Sequence, residues 1–185
     1  MKLFIVFTLI FFISCEKQAE EDVFKIYSIS KGNHESDGNN FEYSLIKSLK
    51  FYVIFDSSAI YKTSDTSNQN DINKLYGFTD CGSMIHDNSA RFGWRWYNNQ
   101  LQLLSYCYVN GNIKKKFITN VDIGEEIYCA ILSCNEYYLF QVNELPFDTV
   151  KRACSFDSIN KYMCYPYFGG NETAPHKIAI KIKNI

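Results

Sequence analysis

The chain has 185 residues and a mass of 21.6 kDa, the size of one ordinary domain with room for a real core. Its 19 lysines and arginines nearly balance 20 aspartates and glutamates, so no general positive field is available to grip nucleic acid. A hydrophobic share of 46%, an aromatic share of 17% and only 3 prolines exclude a disordered or collagen-like chain.

The first residues, MKLFIVFTLIFFISC, set one basic residue, Lys2, before an apolar run from Leu3 to Ile13, followed by Ser14 and Cys15. The run is shorter than the about 20 apolar residues that a spanning helix needs. The segment resembles a bacterial lipoprotein signal peptide, with Phe12 where leucine is usual. That resemblance implies removal of residues 1–14 and lipidation of Cys15, so that the membrane is reached through the lipid alone. The alternative is an ordinary secretory signal with Cys15 near its cleavage point. Residues 16–22, EKQAEED, carry four acids and no large apolar side chain, and read as a solvated tether. Acidic residues so close to a lipidated cysteine resemble the surface-export signal of Bacteroidota lipoproteins. The expected place is the bacterial cell envelope, on the outer membrane.

The body, residues 23–185, reads as a single all-β domain, because period-two alternation dominates and no helical stripe is sustained. Strands are predicted at 23–30, 48–56, 89–97, 100–109, 113–119, 126–132, 137–143, 162–167 and 177–184, with polar loops at 32–42 and 57–74. Asn98-Asn99 and Asn110-Gly111 tolerate positive φ and close tight hairpins, so 89–97, 100–109 and 113–119 form a meander. In IKKKFIT, 113–119, neither parity keeps every lysine off the core, which predicts a bulge or an edge position. In the last strand Ile178, Ile180 and Ile182 alternate with Lys177, Lys181 and Lys183, apolar side inward. Cys81, Cys107, Cys129, Cys134, Cys154 and Cys164 are an even set outside the cytoplasm, open to disulfides or to burial as free thiols. Without a CxxC pair or a suitably placed histidine they give no zinc site.

So many strands need two packed antiparallel sheets, a β-sandwich of jelly-roll kind, with a closed barrel as the alternative. SARFGWRW at 89–96, SYCYVNG at 105–111 and PYFGGNETAPH at 166–176 resemble motifs of uncharacterised Bacteroidota lipoproteins with a concanavalin-like sandwich. The likeness implies fold and location and brings no activity or catalytic residue with it.

A two-residue turn at Asn98-Asn99 sets Tyr97 opposite Gln100, Trp96 opposite Leu101, Arg95 opposite Gln102 and Arg91 opposite Tyr106. Phe92, Trp94, Trp96, Leu101, Leu103, Cys107 and Val109 then share a core face. Arg91, Arg95, Gln102, Tyr106 and Tyr108 share the other, with Gly93 between the arginines. Flat rings beside guanidinium and amide groups suit a sugar and its carboxylates; the plain alternative is a wet sheet face of ordinary cross-strand neighbours. The catalytic candidates are His86, in MIHDNSAR, and Glu172 with His176, which the 169–176 loop can bring to one rim or simply carry into the last strand. Glu125 and Glu126 are adjacent and point apart, so no pair of hydrolytic carboxylates is apparent. No cofactor is implied. Calcium is the one ion whose ligand types a segment offers, at 64–73, without EF-hand spacing. The leading functional reading is a lipid-anchored, non-catalytic glycan-binding protein. A polysaccharide lyase acting on uronates and a structural or protein-interaction module of the envelope are the alternatives.

Overall fold

The computed structural model describes residues 23–38, 43–44, 47–156 and 161–185; the signal sequence, Cys15 and the tether lie outside the described residues. Twelve strands are described: β1 (Lys25–Ile29), β2 (Tyr43–Ser44), β3 (Ser48–Phe55), β4 (Asn73–Thr79), β5 (Ser89–Tyr97), β6 (Gln100–Val109), β7 (Asn112–Val121), β8 (Glu126–Cys134), β9 (Tyr137–Val142), β10 (Leu145–Lys151), β11 (Lys161–Cys164) and β12 (Ile178–Asn184). They form two six-stranded antiparallel sheets, in the orders β1-β12-β3-β8-β9-β10 and β2-β11-β4-β5-β6-β7. The fold is the expected jelly-roll sandwich. Among the described residues the helical content is two 3₁₀ turns, Ser57–Ala59 and Thr66–Asn68, and no helix is long and apolar enough to cross a membrane.

Aromatic side chains fill the space between the sheets. Phe51, Phe55, Phe92, Trp94 and Phe140 are fully buried, and Trp94 meets Tyr61 edge-on with ring centroids 5.8 Å apart. The predicted hairpin register holds residue for residue: Asn98 and Asn99 both take positive φ, and Tyr97 pairs Gln100, Trp96 pairs Leu101 and Arg91 pairs Tyr106. β7 is the edge strand of its sheet and also carries the bulge, since Leu103 pairs Thr119 while Leu104 pairs Phe117 and Ile118 is the extra residue. In β12 the three isoleucines are buried against β1 and β3.

β2 has no counterpart among the predicted strands, and three further elements depart from expectation. β4 falls partly inside the predicted 57–74 loop. Its residues are buried on both faces, so NKLYGFT has no alternation to reveal it, and Gly77 lies at a register shift. β10 is masked in the sequence by Pro146, next to a bulge and on an edge strand where a missing N–H is tolerated. The predicted strand 162–167 ends at Cys164, and Tyr167 instead makes isolated bridges to Glu35 and Lys74.

Cys81 and Cys154 form a disulfide; Cys107, Cys129 and Cys164 are buried free thiols and Cys134 is exposed. Beside the disulfide, Asp80 is fully buried. Its Oδ2 accepts hydrogen bonds from Tyr138 Oη at 2.8 Å and Arg152 Nε at 2.8 Å, and Lys161 Nζ lies 3.5 Å from Oδ1. Two cations around one carboxylate pin the backbone at Arg152 and at Lys161 to the end of β4.

Candidate functional site

Alternation in β5 and β6 sends Arg91, Gly93 and Arg95, with Gln102, Leu104, Tyr106 and Tyr108, to the face of the sheet away from the core. That face is not a flat wet surface. The segment before β4 folds back over its Arg95 end. Arg95 donates from Nε to Gln102 Oε1 at 2.8 Å and from Nη1 to the Asn70 carbonyl at 2.7 Å, and it stacks on Tyr97. Arg95 and Gln102 thus satisfy each other outside the cleft. Ile72 packs with Leu104 and Tyr106 in a small second apolar cluster. Only a glycine at 93 leaves room for it, because a Cβ there would stand 2.5 Å from Ile72.

The other half of the face is open and forms a cleft of about 620 Å³. It is lined by Lys74 and Arg91, by His86 and Tyr108, and by Glu35 with residues of the 163–170 segment. Tyr167 is held by backbone hydrogen bonds in both directions with Lys74, at 2.8 and 2.9 Å, and stacks on His34 with ring centroids 5.1 Å apart. The opposite side is set by the 80–88 loop, where Asn88 Oδ1 accepts from Asn110 N at 2.8 Å and ties the loop to the β6–β7 turn.

Arg91 is the unusual group. It is only 5% exposed, and its Nε and Nη2 have no hydrogen-bond acceptor among the described residues. Its guanidinium carbon lies 5.1 Å from the Tyr106 ring and 5.7 Å from the Tyr108 ring. Such stacking compensates part of the burial of a cation and leaves the N–H groups unmet. Nε–H and the adjacent Nη2–H point the same way from the edge of a guanidinium, the fork that donates to both oxygens of one carboxylate. Gly77 makes this possible: a Cβ there would stand 2.1 Å from the Ala90 carbonyl oxygen and 2.7 Å from Arg91 Cγ.

Lys74 adds a second cation. Its Nζ donates to the Gly169 carbonyl at 2.8 Å and lies over the rings of Tyr106 at 5.1 Å and Tyr167 at 5.7 Å. Burial, together with the charge of Arg91, lowers its pKa from 10.5 to about 8. Tyr106, under Lys74 and Arg91, is pushed up to about 12 by burial and stays protonated at neutral pH. The Cys164 thiol lining the cleft is raised to about 11 by burial, which keeps it protonated at neutral pH. Glu35 is the sole carboxylate among the described residues lining the cleft.

Of the residues singled out from the sequence, Arg91, Tyr106, Tyr108 and His86 come together here, His86 exposed on the rim with its ring 5.2 Å from that of Tyr108. Glu172 and His176 do not. Glu172 accepts from Ser64 N and Asp65 N at 2.8 Å and from Asn68 Nδ2 at 2.9 Å, and those bonds hold its carboxyl below the usual range. His176 Nε2 donates to the Ser58 carbonyl at 2.8 Å. Both serve loop structure rather than a common rim. Asp65, in the segment weighed for calcium, caps the 3₁₀ turn through Ser67 N. Lys74 and Tyr167 have no signal in the sequence: Lys74 sits in an expected loop, and Tyr167 reaches the cleft only through the pairing of its segment with β4.

No protein-family model and no curated relative matches the sequence. The fold is similar to that of a Bacteroides ovatus mixed linkage glucan PUL GH16 in complex with its G4G4G3G product, at TM-score 0.52 and 7% identity over 91% of this chain and 83% of that one. It is similar to the alginate lyase AlyC3 at TM-score 0.56 and 11% identity, over 88% and 74%. The marine PL7 alginate lyase AlyA1 from Zobellia galactanivorans gives 0.55 and 10%, over 89% and 79%. At such identities these likenesses show the jelly-roll sandwich and no shared residue chemistry.

Proposed function

We propose that the protein binds an acidic glycan in the Arg91 cleft, as a lipid-anchored protein of the bacterial cell envelope. The observation that carries the reading is the Arg91 fork, buried beside a second cation and without an acceptor among the described residues. A buried polar group left unmet costs about 1–3 kcal/mol, so a partner that supplies the acceptor recovers that cost on binding. Both N–H groups lie just below the cleft surface, so a uronate supplies two carboxylate oxygens to the fork as the side chains around Arg91 shift, and its ring offers hydroxyls to His86 and an apolar face to Tyr108 and Tyr167. The similarity in fold to glycan-active enzymes supports this class of ligand. Retention of the protein on gels containing a polyuronate, and not on those containing a neutral glucan, is the expected result; equal mobility on both refutes it.

Lys74 favours a second reading, polysaccharide lyase chemistry. With Arg91 neutralising the carboxylate, an unprotonated Lys74 Nζ can accept the proton from the adjacent ring carbon. The C–H electron pair then forms a C=C bond, the glycosidic C–O bond breaks, and the leaving oxygen takes a proton from His86 or water. Unsaturated products absorbing in the ultraviolet would establish this reading, and binding without such products would leave the non-catalytic one. Two-carboxylate hydrolysis has no support here, because Glu35 has no acidic counterpart among the described residues lining the cleft.

A further inference from the structure

The strand register extends the site beyond the cleft. Gly77, Arg91, Tyr106 and Lys115 form one cross-strand row, and Lys74, Gly93, Leu104 and Phe117 form the next. Residues in register share a face, so Lys115 and Phe117 of the edge strand stand on the same side of the sheet as Arg91 and Lys74. Phe117 is 46% exposed and Ile113, which pairs Tyr108, is 47% exposed. An edge strand protected only against aggregation needs its lysines; it does not need two bare apolar side chains flanking one of them on the face that leads to a cleft. Lys115 also contributes to the lowering of the Lys74 pKa, so the two cations share one field.

We infer that the ligand is a linear polyanion lying across the strands, with one charged group on Arg91 and Lys74, a second on Lys115, and a ring packed on Phe117. The inference rests on the acidic-glycan reading and narrows it from a glycan with one charge to a polymer with repeated charges. Arg91 and Lys115 are two strands apart, which is about 10 Å, or about the span of two sugar rings. A chain whose alternate carboxylates face one side meets both cations at once, and the two contacts then act at high effective concentration.

The test is a length series of hexuronate oligomers, from monomer to hexamer, titrated calorimetrically into the full chain and into its Lys115→Ala and Phe117→Ala variants. Both positions are exposed on an edge strand, and circular dichroism verifies that each variant folds. Affinity should rise steeply up to the trimer or tetramer. Lys115→Ala should weaken tetramer binding by about fivefold, the size of an exposed ion pair, and leave the monomer unchanged. Monomer and tetramer bound equally well, or a Lys115→Ala tetramer affinity equal to that of the wild type, overturns this inference and leaves the cleft reading intact. No binding at any length overturns both.

Discussion

Replacing Arg91 by methionine should separate binding from stability in opposite directions. Methionine keeps an unbranched stem over Gly77 and between the tyrosine rings while removing the charge and the two unmet N–H groups. Relief of two buried unsatisfied donors is worth about 2–4 kcal/mol at the lower to middle part of the usual range. Loss of the contacts to Tyr106 and Tyr108 forfeits about 1–2 kcal/mol of cation–π attraction. The difference favours the variant by about 1 kcal/mol, which in a domain of this size raises Tm by about 3 °C. Binding should move the other way, because removing one partner of a desolvated charge pair costs about 2–5 kcal/mol, at least about thirtyfold in Kd. Differential scanning calorimetry and titration with a uronate oligomer read the two quantities on one preparation. A Tm that falls by several degrees with unchanged affinity would show that Arg91 is a structural cation already satisfied in the fold, and the reasoning would be wrong.

Gly77→Ala should lose both: the new Cβ collides with the Ala90 carbonyl and the Arg91 stem, so β4 must shift, with destabilisation of about 1–3 kcal/mol by urea denaturation and a loss of uronate affinity that surface variants far from the cleft do not show. While the uronate carboxylate is ionised, its affinity should hold steady just below pH 8 and fall as pH rises through about 8, where Lys74 loses its proton, with a limiting slope of about tenfold per pH unit for one proton. Anion binding favours the charged amine, so calorimetry at pH 8–9 in buffers of different ionisation enthalpy should register proton uptake; proton release would contradict the placement of Lys74 at the ligand. Asp80→Asn removes the buried charge that Arg152 and Lys161 share and should cost about 3–5 kcal/mol, read as a drop in Tm of about 10 °C. Reducing the Cys81–Cys154 disulfide, which closes a separation of 73 residues, should cost about 4 kcal/mol by the loop-entropy relation, and an unchanged denaturation midpoint in reductant would refute its structural role.

The local geometry of β5, β6 and β7 is legible in the chain before any folding is considered. Asn98-Asn99 admits one tight turn, the turn sets the register, and alternation then places Arg91, Tyr106 and Tyr108 on one face and Trp94 and Phe92 on the other. The bulged edge at 113–119 and the inward isoleucines of β12 are equally legible, because a charged or apolar row has only one favourable side. Whether a polar face is open or covered is a matter for the packed molecule. The same alternation that exposes Arg95 in projection cannot show that the segment at Asn70 folds over it, nor that Tyr167 pairs beside Lys74 and brings it into the cleft. β4 leaves no trace in the pattern for a related reason: apart from Lys74 it is buried on both sides by distant segments, and a pattern that records contrast between water and core is blank where there is little water. The cleft arises from contacts between segments far apart in the chain, whereas period, turn chemistry and side-chain polarity report only on neighbours.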